Sequence, residues 1–319
     1  SDPTNMTYVD DWDKAVYYNA MYAYSVTVSG DYAYVASGYG GLVVVDVSDP
    51  TNLTDATSLN TDSNALGVAV SGGYAYVCSS NGLLVVVDVS DPMNPTYVGE
   101  VNVVADSSDV AVWLSGYAYV ASGYGGLVVV DVSDPANPTY AGGYNHNYSN
   151  TGYANGVAVV GGYAYIADNY GLVVVDVSDP MNPTYAGEYD TSGNAHDVVV
   201  SGGYAYVADS HEGLLVLGLD SDGDTIADVA DSFPSNPNEW NDIDGDGVGD
   251  NSDAFPNNLA ASLDSDGDGF PDEWNSGITS LDIDDDGYPD SWHTQTLATL
   301  YLDQFPSDPT EWRDTDDDG

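Results

Sequence analysis

Near-identical copies of one segment, GGLVVVDVSDP, dominate the first two-thirds of the chain. The copies occupy residues 40–50, 82–92, 125–135 and 171–180, and an altered fifth copy occupies 213–220. Each has an unbroken apolar run rich in Val between turn residues, which predicts a strand buried on both faces. This part of the chain is therefore expected to repeat one structural unit.

The period of the repeat limits the possible architectures. The second Tyr of each YAY element recurs at spacings of 42, 43, 46 and 41 residues. A period in the low forties is typical of propellers and solenoids. In the second repeat we predict four strands, at 67–70, 74–78, 83–89 and 96–99, separated by a Ser71-Gly72-Gly73 turn that needs positive φ and by other turn signals. Four antiparallel strands at this period predict a blade of a β-propeller.

The two ends of the repeat region indicate how such a ring closes. The fifth copy lacks the SDPxNPTY segment, whereas residues 1–9, SDPTNMTYV, match residues 90–98. We predict an all-β, five-bladed propeller over residues 1–219, in which the N-terminal strand completes blade five and covers its open edge. Donation of that strand to a neighbouring subunit, or a cut within a longer array, is the alternative.

The motifs GLVVVDVSDP and SGGYAYVA resemble those of the LVIVD repeat family, whose extracellular microbial members are β-propellers. The resemblance covers residues 1–219 and implies the fold. It implies little about activity, since propellers carry many functions.

Charge divides the chain and limits its partners. The formal net charge is −50, and Lys14 and Arg313 are the only Lys and Arg residues. Contact with nucleic acid or with anionic lipid is therefore not expected. Of the 52 acidic residues, 28 lie in residues 220–319, which predicts a second domain there. Cys78 is the only cysteine, so an internal disulfide and a cysteine-based zinc site are excluded.

The acidic residues of the second domain are spaced like metal ligands. Aspartates at loop positions 1, 3, 5, 9 and 12 can converge on one Ca²⁺, and Gly at position 6 allows the turn. Gly247, Gly269 and Gly287 hold position 6, whereas the first loop has Thr225. Position 12 is Asn275 in the third loop and His293 in the fourth. The predicted ligands are Asp220, Asp222, Asp224, Asp228 and Asp231; Asp242, Asp244, Asp246, Asp250 and Asp253; Asp264, Asp266, Asp268 and Asp272; Asp282, Asp284, Asp286 and Asp290; and Asp314, Asp316 and Asp318 of an incomplete fifth loop.

These loops resemble thrombospondin type 3 repeats, D-x-D-G-D-G-x-x-D-x-x-D, and residues 242–253 match best. The resemblance implies an irregular, calcium-stapled stalk that holds several Ca²⁺ ions over residues 220–319. The paired cysteines of that family are absent, so calcium and the Phe and Trp side chains must stabilise this part. Without metal, the carboxylates repel one another, and we expect this part to be largely unfolded.

A second candidate site lies on the propeller. Loops after the second and fourth strands of each blade vary in sequence, and variable loops on a rigid scaffold commonly bind ligands. Tyr39, Tyr124 and Tyr170 would lie near that face, either as a ligand-binding set or as covers of the blade tops. The repeated Asp46, Asp88, Asp131 and Asp176 are interpreted as turn caps. Asn5, Asn52 and Asn147 occupy N-x-S/T sequons and are candidate glycosylation sites.

No clustered or repeated catalytic set of His, Asp, Ser or Cys stands out in the sequence. The composition and motifs predict a non-enzymatic, extracellular or cell-surface calcium-binding structural protein of a microbe that self-assembles, for example into a filament, and does not insert into membranes. An adhesin or carbohydrate- or protein-binding module of a larger surface protein is the alternative. An enzyme using the variable propeller face is a third possibility.

Overall fold

A computed structural model describes residues 8–10, 22–103, 106–113, 116–145, 152–228, 230–259, 261–267, 269–273, 275 and 307. The chain divides into two compact units, Ser1–Leu217 and Gly218–Gly319. The strands of the described part lie in unit one, except for the last residue of the final strand, Gly218, and the rest of the described part of unit two is built from turns and bends. Among the described residues, no helix is long and apolar enough to cross a membrane.

Unit one contains nineteen strands in the described residues, and they follow the predicted repeat. Blade one has β1 (Ser25–Ser29), β2 (Tyr32–Ala36), β3 (Leu42–Asp46) and β4 (Thr54–Leu59). Blade two has β5 (Ala65–Ser71), β6 (Tyr74–Ser79), β7 (Leu83–Asp88) and β8 (Thr96–Asn102). Blade three has β9 (Asp109–Trp113), β10 (Tyr117–Ala121), β11 (Leu127–Asp131) and β12 (Thr139–Tyr144). Blade four has β13 (Gly156–Val160), β14 (Tyr163–Asp168), β15 (Gly171–Asp176) and β16 (Thr184–Asp190), and blade five has β17 (Ala195–Ser201), β18 (Tyr204–Asp209) and β19 (Gly213–Gly218).

Each blade is an antiparallel sheet whose strands pair in chain order, which confirms the predicted five-bladed arrangement. Blades one to four have four strands, whereas the described part of blade five has three. Residues 1–7 of the predicted closing strand lie outside the described residues. Consecutive blades contact each other through their first strands, β1, β5, β9, β13 and β17, which places these strands nearest the propeller axis.

The turns form for the reasons that the sequence indicates. In the turn between β5 and β6, Gly72 and Gly73 have φ of 59° and 82°, a region where a Cβ atom is unfavourable. After β3, the Asp46 carboxylate accepts hydrogen bonds from the Ser48 N–H at 2.9 Å and from its Oγ at 2.6 Å. Asp88, Asp131 and Asp176 accept the same pair of bonds from the serines that follow them. These aspartates are turn caps, as predicted.

The core of the propeller lies between blades. Tyr34, Leu42 and Val44 of blade one pack in one buried cluster with residues of blade two that include Val68 and Val85. Equivalent clusters join blades two and three and blades three and four. The Val-rich third strands of blades two and three are therefore covered on both faces, which is why their sequences do not alternate between polar and apolar residues.

Candidate metal centre

In unit two, the aspartates of two predicted loops converge, each set within its own loop. Carboxylate oxygens of Asp220, Asp222 and Asp224 lie within 4.8 Å of one another. The same is true of Asp242, Asp244 and Asp246. Oxygen ligands of one Ca²⁺ lie 2.3–2.6 Å from the ion, so two of them can be separated by up to about 5 Å. Each set is therefore compact enough to share a single cation.

The backbone holds these carboxylates in the same way in both loops. Asp242 accepts hydrogen bonds from the N–H groups of Gly245 and Gly247, at 2.7 and 3.0 Å. In the first loop, Asp220 accepts from Gly223 and Thr225 at 2.7 and 3.0 Å. Such bonds to the next few N–H groups form spontaneously with Asp in a tight turn. Each oxygen of the carboxylate accepts one of the two bonds, which fixes the orientation of the position 1 aspartate in its loop.

Position 6 of the loop adopts positive φ in each of the three loops that the structure describes. Gly247 and Gly269 have φ of 92° and 91°, and Thr225 has φ of 78°. Only glycine adopts this region without a steric penalty from Cβ. The first loop thus has the conformation of the others although its side chain disfavours it, as the sequence indicated.

Several carboxylate oxygens of these loops are buried and lack a hydrogen-bond partner. They are Oδ2 of Asp222, Asp224 and Asp231 in the first loop and Oδ2 of Asp244 in the second. Leaving a buried polar oxygen unpaired costs about 1–3 kcal/mol, and more if it is charged. A bound cation would satisfy these oxygens, so the residues present fit a hard, oxygen-coordinated metal ion.

Electrostatics indicate the same need for a positive charge. Burial raises the pKa of Asp244, and the neighbouring charges of Asp246 and Asp242 raise it further. Burial likewise raises the pKa of Asp253, with repulsion from Asp246, Asp244 and Asp250 in addition. Asp253, at position 12, therefore faces the second aspartate set, as a ligand at that position would.

The aspartates at position 9 accept hydrogen bonds within their own loops. Asp228 and Asp250 accept hydrogen bonds from the N–H groups of Ser221 and Ile243, so they close their loops. Asp264 accepts from Gly267 and Gly269 in the pattern of the other loops. Asn275, at position 12 of the third loop, donates through Nδ2 to Asp246 of the second loop. This link between loops was not anticipated, because sequence spacing alone assigned Asn275 to the third loop.

The remaining predicted ligands divide between those described and those outside. Asp266 and Asp272 lie in the third loop, where Asp272 accepts a hydrogen bond from the Ser265 N–H at 3.2 Å. The predicted ligands outside the described residues are Asp268, Asp282, Asp284, Asp286, Asp290, Asp314, Asp316 and Asp318, and position 12 of the fourth loop, His293, is outside as well.

The propeller has a separate cavity on its axis, with a volume of about 450 Å³. Its lining comes from all five blades and is mainly polar: Tyr24, Ser25, Ser108, Asp109, Asn155, His196 and Asp197, with Ala23, Val26 and Leu66. The cavity lies at the start of the first strands. Because Ser25 pairs with Ala36 at the end of β2, this is also the face that carries the loops after the second strands.

Asp109 is the most perturbed acid of this cavity. Burial raises its pKa to about 6, with a smaller contribution from the nearby charge of Asp197 and an opposing one from hydrogen bonds. Its Oδ2 accepts a hydrogen bond from the Val157 N–H of blade four at 3.0 Å. Gly67 and Gly156 hold the equivalent positions in blades two and four. A Cβ at Gly67 would clash with the backbone of Asp109 in blade three, and a Cβ at Gly156 would clash with the backbone of Asp197 in blade five. Asp197 holds this position in blade five. The two acids were not predicted, because the other three repeats have Ser25, Gly67 and Gly156 there.

The three tyrosines of the variable face do not line this cavity. Tyr39, Tyr124 and Tyr170 are exposed, and Tyr124 makes an edge-to-face contact with Tyr153 at 4.9 Å between ring centroids. Of the sequon residues, Asn52 is exposed in the turn after β3, whereas Asn5 and Asn147 lie outside the described residues. Cys78 is fully buried, and burial raises its thiol pKa, consistent with a small core residue.

Five sheets around one axis, with their cores between successive sheets, define a β-propeller. The chain belongs to the LVIVD repeat family: the repeat matches residues 20–61, 63–103, 106–146, 151–191 and 192–244. No curated protein sequence matches the chain.

Solved structures resemble the chain at low sequence identity. The β-propeller domain of Cps50 (Swd1) from Myceliophteria thermophila has a TM-score of 0.51 and 14% identity, covering 61% of this chain and 65% of that one. The computationally designed Ika8 protein has a TM-score of 0.49 and 9% identity, covering 61% of this chain and 57% of that one. The chain thus spans less than two-thirds of the length of either.

Proposed function

We propose that this chain is a non-enzymatic, calcium-binding structural protein of a microbial cell surface or extracellular matrix. The observation that carries this proposal is the pair of aspartate sets with buried oxygens that lack hydrogen-bond partners. Hard carboxylate oxygens in a flexible loop suit Ca²⁺, whereas Mg²⁺ prefers few protein ligands and strict octahedral geometry. The resemblance to thrombospondin type 3 repeats supports the same ion.

In this proposal the loops use their carboxylates at positions 1, 3, 5 and 12 as ligands. Asp220, Asp222, Asp224 and Asp231 would hold one ion, and Asp242, Asp244, Asp246 and Asp253 a second. A bound Ca²⁺ supplies positive charge that cancels the repulsion among these carboxylates. The unit contains little apolar core in its described part, so metal binding would provide much of its folding free energy.

Calcium titration of the whole protein tests the proposal. We expect Ca²⁺, added to protein stripped with a chelator, to raise the melting temperature of unit two and to protect its amides from hydrogen exchange. Extracellular calcium modules typically bind at about 0.1–1 mM. Asp222→Asn and Asp244→Asn should each weaken one loop, and Asp134→Asn in a propeller turn is the matched control. Unchanged exchange in both loops at 10 mM Ca²⁺ would refute the proposal.

A second candidate function is the binding of a small polar ligand in the axial cavity. Its support is the size of the cavity and its mixture of carboxylate, amide, hydroxyl and imidazole groups, which suits a sugar-like molecule with several hydroxyl groups. Glycan-array binding that is lost in Asp197→Ala would support this function. Binding lost instead on replacing Tyr39, Tyr124 and Tyr170 would assign the ligand to the variable loops.

A further inference from the structure

The two terminal blades leave apolar surface open that the same repeat buries elsewhere. We call the side of a blade that faces the next blade along the chain its forward face, and the opposite side its rear face. In blades one to four, the Leu of the third strand that pairs with the small residue near the end of the second strand lies on the forward face and is at most 4% exposed: Leu42, Leu84, Leu127 and Leu172. The equivalent Leu214 of blade five is 69% exposed.

Other side chains on the forward face of blade five are open as well. Val216 and Val199 are exposed, and Tyr206 is more exposed than its four equivalents, which are all buried. These three residues and Leu214 form one apolar surface on β17, β18 and β19. Such contiguous apolar surface commonly marks an interaction site.

Blade one is open on the complementary side. Val26 of β1 lies on the rear face and is 63% exposed, whereas its equivalents Val68, Val110, Val157 and Val198 are at most 5% exposed. Val28 is exposed too. Ala33, Val43 and Val45 of β2 and β3 are buried, so the open part of this rear face is the innermost strand. Successive blades contact one another through their innermost strands, so this is the part that a preceding blade would cover.

A contact at Asp10 indicates that the place before blade one is shaped for another blade. In blades two and three, Gly99 and Gly142 of the fourth strands approach the SDPxN turn of the next blade so closely that a Cβ would clash with its backbone oxygens. Asp10 is the equivalent residue in the N-terminal copy of this motif. Its Oδ2 accepts a hydrogen bond at 2.9 Å from the N–H of Leu53, in the SDPTN turn of blade one.

The contact also explains two departures from the repeat. Leu53 stands where the following three turns have Pro95, Pro138 and Pro183, which lack an N–H, and Asp10 stands where three repeats have Gly. The exchanged pair forms a hydrogen bond that Gly and Pro cannot make. Residue 10 therefore lies against blade one as the fourth strand of a preceding blade would, while the chain's own blade five leaves its forward face uncovered.

We propose that the forward face of blade five packs on β1 of blade one of a second copy of this chain, head to tail. The two faces are the halves of the blade interface that this chain already forms between its successive blades, so they are complementary by sequence. Both faces are exposed in the single chain, so a second copy can cover each of them with its opposite face. A contact between unlike faces repeats from copy to copy and builds a ring or a filament. The inference rests on the proposed structural function and identifies a second copy of this chain as the binding partner.

Charge sets the conditions for this contact. Two copies that each carry a formal charge of −50 repel one another, whereas the faces themselves are apolar. Salt at 0.15 M screens exposed charges beyond about 8 Å. We therefore expect association to strengthen with ionic strength and with calcium.

Disulfide trapping with the full chain tests the proposal. Val26→Cys and Val199→Cys each place one thiol on a proposed face, and Val160→Cys, at the exposed end of β13 in blade four, is the matched control. The native Cys78 is fully buried and does not compete. On oxidation, a mixture of V26C and V199C should give a cross-linked dimer that neither variant gives alone, and the V26C/V199C double variant should give a ladder of multimers.

Three outcomes would overturn the proposal. An internal disulfide in monomers of the double variant would show ring closure within one chain. Cross-linking of V199C with itself at the rate of the mixture would show a symmetric contact between two fifth blades. Cross-linking no faster than with V160C, together with a monomer in sedimentation velocity at all salt concentrations, would show that no second copy binds.

The calcium proposal can fail independently of this inference. Hydrogen exchange of the two aspartate loops is measured on the same samples with and without Ca²⁺. Specific cross-linking without calcium-dependent loop protection would retain the head-to-tail contact and reject calcium. Loop protection without cross-linking would do the reverse.

Discussion

Position 6 of the aspartate loops offers a reciprocal test of how backbone conformation sets metal affinity. Thr225 adopts a φ of 78°, and Gly247 occupies the same position of the second loop at 92°. A Cβ built at Gly247 meets nothing within 4 Å, so threonine fits there sterically. Thr225→Gly and Gly247→Thr therefore exchange only the backbone preference between two loops with the same hydrogen bonds.

The size of the effect follows from two opposing contributions. A residue with a Cβ loses roughly 1–2 kcal/mol in the left-handed region. Glycine loses about 0.4–1 kcal/mol through the greater freedom of its unfolded state. The net gain for Thr225→Gly is thus about 1 kcal/mol. If a loop orders only when it binds calcium, this energy appears in the calcium affinity, and about 1.4 kcal/mol corresponds to tenfold. We expect affinity to rise about fivefold in the first loop and to fall about fivefold in the second for Gly247→Thr.

Hydrogen exchange measured by mass spectrometry at graded Ca²⁺ concentrations resolves the two loops. Peptides from residues 220–231 and 242–253 give separate midpoints, and in each variant the unchanged loop is the internal control. A midpoint of the first loop that is unchanged or higher in Thr225→Gly would refute the coupling of loop order to binding. Equal shifts of both loops in one variant would show that the loops bind as one cooperative unit.

Three further predictions concern the propeller. At concentrations where the chain is monomeric, Leu84→Ala should destabilise unit one by about 2–5 kcal/mol, whereas Leu214→Ala at the equivalent exposed position should cost under about 0.5 kcal/mol. Denaturant unfolding of both variants measures these losses. Equal losses would show that the face of blade five is buried. Because the folded pKa of Asp109 is raised to about 6, the stability that its neutral form contributes is complete below pH 4 and is lost as pH rises through about 6. Asp109→Asn keeps an acceptor for the Val157 N–H, so it should match the wild type at pH 4 and exceed it by ~2 kcal/mol at pH 8; melting curves across this range test the sign, and a deficit at pH 8 would contradict it. Cys78 should resist alkylation until global unfolding, because its thiol is buried with a raised pKa, and labelling at the rate of an exposed thiol in native protein would contradict this.

The local features of this protein were predictable because each depends on a few neighbouring residues. The strands of the second blade lie within three residues of their predicted ends, since apolar runs between turn signals define them. The Asp46 cap and the positive φ of Gly72 and Gly73 follow from the chemistry of their own turns. The aspartate sets were predictable for the same reason, because residues at positions 1, 3 and 5 of a tight loop are close in sequence and lie close together in space.

Features that join distant residues were beyond sequence reasoning. Asp109 and Asp197 belong to different blades and meet near the axis only because the sheets are arranged around it. Asn275 reaches Asp246 across two loops. The repeats do not indicate either contact, since three of the five blades have no acid at the position of Asp109 and Asp197, and Asn275 stands where the second loop has Asp253.

Leu172 and Leu214 show most directly what the sequence determines and what the tertiary structure decides. Both follow a glycine at the start of a third strand and precede an apolar run, so sequence assigns both to a buried strand. The structure buries Leu172 and leaves Leu214 mostly exposed. The sequence determined that each residue is part of an apolar blade face. Only the tertiary structure decided whether another blade covers that face, because burial requires a neighbour and no local pattern supplies one.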